Sequence, residues 1–389
     1  MNNIIFFDSE EHRTLLPLTY TKAVSELRVG ILKIHEKWEN ALGLSSTNYT
    51  QPHLSKLFEM DLTDNNLFIL GGLLPNPGLV SSIKNMAFDT ILTKNGRILA
   101  SKGSSLHALK HSDNSAEYAE DITLIKRPWD IFTHNGAEIE NDISLLGLSP
   151  SNRPELKNII IGDSSKLFIH ATAKVHASSL NTTNGPIYIG PNTEVMEGTL
   201  VRGPFALCDH GTLKMGAKIY GDTTVGPHSK VGGEVGNSVI QGYSNKGHDG
   251  YLGNSVIGEW CNLGADTNSS NLKNNYSHVK VWDYVTEKAS DTKLTFCGLI
   301  MGDHSKTGIN TMLNTGTIVG VGSNVYGAHF PPKFIPSFSW GSGLDFMEHN
   351  FAKFCSTAER VMGRRGIKLT EDSKEALQWV FEASSKYRS

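Results

Sequence analysis

The stretch IGPNTEVMEGTLVRGPFALCDHGTLKMGAKIYGDTTVGPHSKV, residues 189–231, has an aliphatic side chain at every sixth position without interruption. The positions are Ile189, Val195, Val201, Leu207, Leu213, Ile219, Val225 and Val231. With Ile, Leu and Val at about a quarter of ordinary composition, such a run is expected once in roughly 10^4 to 10^5 starting positions. A period of six fits neither a helix nor an alternating strand. It predicts a hexapeptide-repeat parallel β-helix, a triangular prism with one short strand per side.

The residues four places after these aliphatic positions support the same interpretation, because a tight corner leaves little room beside an inward side chain. Most are small, with Phe205 as the exception: Thr193, Thr199, Gly211, Ala217, Thr223 and Ser229. The spacing continues less regularly on both sides, so we expect the β-helix domain to span residues 155–335. A glycine-rich β-sandwich is the alternative, but strict alternation would then dominate the pattern.

Residues 1–150 have the pattern of a separate α/β domain. We expect a strand at Ile4–Phe7, an amphipathic helix over 22–42, a strand at Leu67–Leu70 and a hairpin around Asn95-Gly96. The polar, proline-containing stretch Ser149–Pro154 is the predicted boundary between the domains. After the β-helix, residues 340–389 show helical spacing. We expect a helical cap over the open end of the prism, or helices that pack on a neighbouring subunit, rather than a site for another partner.

Composition narrows the classes of function. A net charge of -3 over 389 residues gives no reason to expect nucleic acid or an anionic membrane as a partner. No apolar run has the length of a membrane span, and the start lacks the basic region of a signal peptide. The cysteines are isolated, without metal-type spacing, at Cys208, Cys261, Cys297 and Cys355. Reduced thiols in a cytoplasmic protein are therefore expected.

Three short elements follow one another within the predicted β-helix. They are Gly247-His248-Asp249-Gly250-Tyr251-Leu252-Gly253, then Asn262-Leu263-Gly264-Ala265, and then Ser270-Asn271-Leu272. Their order and spacing resemble the acetyltransferase domain of the bifunctional glucosamine-1-phosphate acetyltransferase/N-acetylglucosamine-1-phosphate uridylyltransferase, with its His-x-x-Tyr-x-Gly, Asn-x-Gly-Ala-Gly and further Asn. The chain looks closest to archaeal-type sugar-1-phosphate versions and to sugar nucleotidyltransferases of Bacteroidetes type. The resemblance is good over about 185–330 and faint over 1–150.

The resemblance implies acetyl transfer from acetyl-CoA to an amino-sugar 1-phosphate on a left-handed β-helix. His248 matches the general base, which takes the proton that the amine loses as it attacks. The N–H of Ala265 matches the donor to the oxyanion of the tetrahedral intermediate. The resemblance further implies substrate-binding roles for Tyr251, Asn262, Asn271 and Lys280, with Lys273 as a competitor for the last. No cysteine nucleophile is implied.

One position departs from the pattern of the family that the sequence resembles. Gly-Ala-Gly is replaced by Gly264-Ala265-Asp266, which brings a carboxylate close to the incoming thioester. Aspartate tolerates the left-handed conformation better than most residues.

Some hexapeptide β-helices are zinc-dependent carbonic anhydrases, but the spacing of the histidines does not reproduce a metal triad. No metal site is predicted.

The N-terminal residues bear a weaker likeness to sugar nucleotidyltransferases. Arg13, Pro17-Leu18-Thr19 and Lys22 match parts of that pattern, and Arg13 and Lys22 are the candidate nucleotide-binding residues. The glycine-rich loop that would bind a triphosphate is replaced by Asp8-Ser9-Glu10-Glu11-His12, with three carboxylates and no glycine. Carboxylates repel a triphosphate unless a metal such as Mg2+ intervenes.

Three functions remain open from the sequence. The first is a cytoplasmic acetyl-CoA-dependent N-acetyltransferase, either alone or coupled to nucleotidyl transfer from UTP or dTTP, and the resemblance implies a homotrimer. The second is a sugar-1-phosphate nucleotidyltransferase whose β-helix trimerises or regulates it. The third is a non-catalytic scaffold that binds sugar phosphate.

Overall fold

The computed structural model describes residues 3–109, 114–151, 157–342 and 345–388. Contacts divide the chain into two compact units. The first contains residues 1–15, 21–27 and 32–127, and the second contains residues 16–20, 28–31 and 128–389. Residues 152–156 lie outside the described residues, so part of the predicted boundary at Ser149–Pro154 does too. No helix of the described chain is long and apolar enough to cross a membrane.

The first unit is built on a mixed six-stranded sheet. In spatial order its strands are Ser46–Tyr49, Asn3–Phe7, Asn66–Leu70, Arg97–Gly103, Thr90–Lys94 and Asn114–Glu117. The first three are parallel to one another, and Arg97–Gly103 runs antiparallel to both of its neighbours. The predicted strands and the Asn95-Gly96 hairpin are confirmed.

The helices of this unit are short. The α-helices are Glu11–Thr14, Ile34–Leu42 and Pro77–Lys84, with 3-10 turns at Val24–Glu26, Pro52–Leu54 and Leu106–Leu109. The helix predicted over 22–42 is wrong in its first half, where the chain forms a 3-10 turn instead. Gly30 explains the difference, because its φ of +83° is left-handed and incompatible with a continuous helix. The predicted end at Gly43 is confirmed, and its N–H donates to the carbonyl of Glu39.

The second unit is a parallel β-solenoid of about 10 turns. The strands of its first face are Ile159–Ile161, Ser179–Asn181, Leu200–Arg202, Lys218–Ile219, Glu234–Gly236, Tyr251–Gly253, Asn268–Ser269 and Met312–Leu313. Those of its second face are Leu167–Ile169, Ile187–Ile189, Phe205–Leu207, Thr223–Val225, Val239–Gly242, Val256–Glu259, Ile300–Met301, Ile318–Val319 and Phe334–Ile335. Those of its third face begin with Lys174–Val175, Glu194–Val195, Thr212–Leu213, Lys230–Val231 and Asn245–Lys246.

The third face continues through single bridges from Asn245 to Asn262 and from Asn262 to Lys306. Its remaining strands are Lys306–Thr307, Asn324–Val325, Ser339–Ser342 and, antiparallel to the last, Asp345–Glu348. An antiparallel hairpin of Lys280–Asp283 and Lys288–Asp291 interrupts the coils. The α-helices of this unit are Pro128–Leu145, Phe351–Gly363 and Glu371–Ala383, with 3-10 turns at Ser164–Lys166 and Ser385–Tyr387.

The six-residue repeat is the core of the prism. All eight aliphatic side chains from Ile189 to Val231 are at most 2% exposed and belong to one hydrophobic cluster. Fully burying an aliphatic side chain stabilises a fold by about 1.5–3 kcal/mol, so the repeat supplies much of the driving force. The predicted left-handed parallel β-helix, preceded by an α/β domain and followed by terminal helices, is confirmed.

The helix Pro128–Leu145 packs on the second face of the prism and is fixed there by a buried amide. Asn135 Oδ1 accepts hydrogen bonds from Gly30 N at 2.7 Å and from Thr224 Oγ1 at 3.1 Å. Its Nδ2 donates to the carbonyl of Asp222 at 3.0 Å. Because Asn135 is fully buried, these bonds hold the helix in one register on the solenoid.

Candidate functional site

His248 lies in a turn at the corner where the chain passes from the third face to the first. We call this the third-to-first corner; here it comprises residues 247–250, between the strands Asn245–Lys246 and Tyr251–Gly253. The His248 side chain is exposed. No described residue provides a hydrogen-bond or ion-pair partner for its imidazole. The main chain of the turn therefore determines where the imidazole stands.

Ala265 lies at the same corner, one coil further along. Asp266 N donates to the carbonyl of Asp249 at 3.0 Å, which joins the two turns directly. Asp266 has a φ of +55°, so it adopts the left-handed conformation at the position where the acetyltransferases that the sequence resembles have glycine. Among the described residues, no acceptor is found for the Ala265 N–H. A main-chain donor without an internal acceptor is what an oxyanion requires.

Tyr251 and Asn271 meet on the first face. Asn271 Nδ2 donates to the phenolic oxygen of Tyr251 at 2.9 Å and to Asn254 Oδ1 at 2.7 Å. The phenol lies over Gly253, where any Cβ would collide with it. Burial raises the pKa of the Tyr251 phenol, which keeps it neutral and able to donate. The structure thus brings together two of the predicted substrate-binding residues.

Tyr251 also lines a cavity of about 710 Å³ beside the helix Pro128–Leu145. Its polar lining consists of carboxylates, amides and phenols: Glu140, Asp222, Glu234, Asn184, Asn237, Asn254, Tyr220 and Tyr251. Burial raises the pKa of the Asp222 carboxyl. Gly136 leaves room for this carboxylate, because a Cβ there would collide with it. Such a lining suits the hydroxyl and amino groups of a sugar.

Asn262 lies elsewhere, in a cavity of about 280 Å³ on the third face. The cations that line this cavity are Lys230, Lys306, Arg364 and Arg365. Lys306 Nζ donates to the carbonyl of His304 at 2.9 Å, and burial lowers the pKa of Lys306. No carboxylate is found among the described lining residues, so the cavity is positive and suited to phosphate. Asn262 and Tyr251 therefore line different cavities.

Lys280 lies on the antiparallel hairpin and is exposed. Its competitor Lys273 lies before the hairpin, where its Nζ donates to Ser277 Oγ at 3.3 Å and to the carbonyl of His278 at 2.5 Å. Neither lysine lines the cavity of Tyr251 or that of Asn262. Their predicted contact with substrate stays a prediction.

The candidate nucleotide-binding residues of the first unit stand in different surroundings. Arg13 is exposed on the short helix Glu11–Thr14, whereas Lys22 is buried. Arg97 forms ion pairs with both Glu10 and Glu11. Its single positive charge offsets part of the negative charge of the segment that replaces the glycine-rich loop. Nothing in the local sequence indicated these pairs.

Asp8 occupies the carboxyl end of the strand Asn3–Phe7, the edge of a parallel sheet at which α/β proteins bind ligands. It accepts hydrogen bonds from Val24 N at 3.0 Å and from Thr50 Oγ1 at 2.5 Å. Burial raises the pKa of the Asp8 carboxyl to about 6. The Asp8 carboxylate thus already accepts hydrogen bonds from two donors that could otherwise bind a phosphate.

Three histidines of the prism belong to one stack of aromatic rings. His210 and His228 are parallel with ring centroids 4.6 Å apart, and Tyr243, Trp260 and His304 continue the stack along the edge. No group of three or more His, Cys, Asp and Glu side chains that could hold a metal ion is found in the part of the chain that the structure describes.

Sequence reasoning missed Lys246, two residues before His248. It pairs with Val231 in the strand register and so takes the inward position that an aliphatic residue fills in the preceding coil. The side chain is 3% exposed. A lysine at an inward position was the signal available in the sequence. Recognising it requires the strand register, and this coil no longer keeps the strict six-residue period that would reveal the register.

Comparisons with known proteins add the following. Residues 4–149 match the family model of sugar nucleotidyl transferases, and no curated protein sequence matches the chain. Among solved structures, the polySia-specific acetyltransferase NeuO is 14% identical, with 54% of this chain and 93% of that one covered and a TM-score of 0.29. A point mutant of the N-acyltransferase AntD from Bacillus cereus, in complex with dTDP-4-amino-4,6-dideoxyglucose and coenzyme A, is 12% identical, with 52% and 89% covered and a TM-score of 0.21. The polysialic acid O-acetyltransferase OatWY is 15% identical, with 50% and 85% covered and a TM-score of 0.22.

Proposed function

We propose that the protein transfers an acetyl group from acetyl-CoA to the amine of a hexosamine 1-phosphate. The observation that carries the proposal is the stacking of two turns at the third-to-first corner. It brings the exposed imidazole of His248 and the N–H of Ala265, which has no acceptor in the part of the chain that the structure describes, to neighbouring coils. The bond from Asp266 N to Asp249 O joins these coils. A base and an oxyanion donor at one corner are the two groups that acyl transfer to an amine needs.

The step is a direct transfer. The amine nitrogen attacks the thioester carbonyl carbon, and the Ala265 N–H stabilises the oxyanion that develops. His248 removes the proton that the nitrogen loses. The carbon–sulfur bond then breaks, CoA leaves as the thiolate, and the proton passes from the imidazole to the sulfur. The products are free CoA and the N-acetylated sugar phosphate.

The two cavities suggest how the substrates divide between sites. The cavity beside Tyr251 presents hydrogen-bonding groups and three carboxylates, which favour an amino sugar over a free anion. The cavity beside Asn262 presents four cations, which favour the phosphates of a ligand. The match of residues 4–149 to sugar nucleotidyl transferases is a further reason to expect a sugar phosphate as substrate.

We further propose that the active form is a homotrimer in which a neighbouring prism completes the groove beside His248. Met215 and Ile309 lie at the same third-to-first corner and are 71% and 70% exposed. Large apolar side chains left in solvent on either side of the proposed base are typical of a surface that another subunit covers.

Nucleotidyl transfer in the first unit is the second candidate, and the family-model match favours it. The partly buried carboxylate of Asp8 at the ligand-binding edge of the sheet argues against it. The two activities separate in one assay with purified full-length protein. CoA release from acetyl-CoA and glucosamine 1-phosphate is expected, and pyrophosphate release from UTP or dTTP with a sugar phosphate is not. Pyrophosphate without CoA would overturn the assignment, and binding of sugar phosphate without either product would favour a scaffold.

A further inference from the structure

Lys246 is a cation inside the solenoid, directly beneath the proposed active corner. The register stacks it on Val231, so its side chain enters the prism among aliphatic neighbours. Removing a charge from water costs several kcal/mol unless bonds replace the hydration. An aliphatic residue at this position would avoid the cost, so the presence of lysine calls for a reason other than packing.

The ammonium group has three donors, and each has a main-chain acceptor. Nζ donates to the carbonyl of Gly232 at 3.0 Å, to that of His248 at 2.6 Å and to that of Asp249 at 3.3 Å. Gly232 belongs to the corner of the preceding coil, whereas His248 and Asp249 form the turn above it. One side chain therefore ties two successive turns together from the inside.

The charge of Lys246 also acts on the Ala265 turn. The carboxylates of Asp249 and Asp266 interact electrostatically with the Lys246 ammonium and favour its charged form. Burial outweighs them and lowers the pKa of Lys246 to about 8. Asp266 is the residue that replaces the family glycine, so the departure in the sequence and the buried lysine belong to one arrangement.

We propose that Lys246 is a positioning residue for the acyl transfer proposed above, and that its buried ammonium fixes the main chain of the His248 turn. The effect on catalysis rests on the proposed function, whereas the restraint on the His248 turn does not. Because the His248 imidazole has no described side-chain partner, the bond to its own carbonyl is the nearest restraint on its position. The positive charge beneath the corner also favours the oxyanion at Ala265.

The test compares Lys246→Met with Lys174→Met, an exposed lysine on a third-face strand far from His248. Methionine suits the aliphatic interior, so Lys246→Met is expected to fold with an unchanged melting temperature or a higher one. Amide hydrogen exchange at residues 247–250 is expected to accelerate about tenfold in this variant only. The kcat is expected to fall about tenfold to a hundredfold, with little change in the KM for acetyl-CoA.

The pH profile gives a readout that a purely structural role would not move. The Lys246 side chain is charged below about pH 8 and neutral above it. The kcat of wild type is therefore expected to decline above that pH. Asp266→Asn keeps a residue that tolerates left-handed φ but removes one of the charges that favour the ammonium. It should shift the decline to lower pH, and Lys246→Met should abolish it.

The outcomes separate the two proposals. If wild type releases no CoA, the proposed function fails, and the exchange rates still decide whether Lys246 restrains the turn. Unchanged exchange at residues 247–250 in Lys246→Met would overturn the inference. A Lys246→Met variant with the kcat and the pH profile of wild type would overturn the inference as well.

Discussion

Asn271 donates to the phenolic oxygen of Tyr251 at 2.9 Å, although 20 positions separate them in sequence. The carbonyl of Asn271 also accepts a hydrogen bond from Cys297 N, which closes the inserted hairpin at its base. The prism therefore continues past the insertion without losing register. Since the phenolic oxygen accepts from Asn271, the proton of Tyr251 remains available to a ligand in the adjacent cavity.

Tyr251→Phe removes that proton while keeping the ring. We expect the KM for the sugar phosphate to rise about tenfold, the loss of one hydrogen bond of roughly 1.4 kcal/mol, with little change in melting temperature. Steady-state kinetics with varied acceptor measures it, and Tyr326→Phe, at an exposed position that does not line this cavity, is the control. Asn271→Ala combined with Tyr251→Phe should cost less than the sum of the two. Strict additivity would show that the pair does not act together.

The exposed corner residue Ile309 tests the proposed trimer. Ile309→Asp places a charge on a surface that we expect a second subunit to cover, so the variant should dissociate and lose acetyl transfer. Sedimentation velocity of wild type and variant at matched concentrations measures the change. Phe88→Asp, at an exposed position in the first unit, should leave the oligomer intact. A monomeric wild type with full activity would contradict the prediction.

The cationic cavity on the third face tests how phosphate is bound. Arg364→Glu with Arg365→Glu reverses two of its charges, and we expect the KM for acetyl-CoA to rise at least tenfold. The effect should weaken at high salt, because both side chains are exposed and screened. Arg360→Glu is the matched control, since Arg360 lies in the last turn of the helix Phe351–Gly363, just before the two arginines, but lines another cavity. Equal effects from both variants would point to net charge alone.

Asp8 predicts a pH dependence of stability in the first unit. A carboxyl whose folded pKa is raised to about 6 binds its proton more tightly in the folded state. Stability from this group is therefore fully present below about pH 4 and is lost as pH rises towards 6. Asp8→Asn stays neutral and can keep the bond from Val24, so its melting temperature should exceed that of wild type above pH 6. A pH profile of melting temperature identical in the two proteins would contradict this.

The fold was predictable because the six-residue period acts on every coil independently. Each inward aliphatic side chain from Ile189 to Val231 reports the same geometry, and one irregular residue such as Phe205 does not disturb the pattern. Prediction failed where one residue overrides a local pattern. Gly30, in its left-handed conformation, ended the helix expected over 22–42.

The site was only partly predictable for a related reason. Tyr251 and Asn271 were identified by resemblance, and they meet because their coils are neighbours. Asn262 was grouped with them by the same motif, but its side chain lies on another face of the prism. Lys246 and Arg97 act through partners in other coils or strands, and such contacts depend on a register that the sequence does not state.

His248→Ala tests the central claim most directly. His176 is the matched control, since it is also exposed at a third-to-first corner but several coils away. In an assay of CoA release from acetyl-CoA and glucosamine 1-phosphate, we expect His248→Ala to lose about a hundredfold or more in kcat at unchanged melting temperature. His176→Ala should match wild type. Full activity in His248→Ala would contradict the assignment of the base.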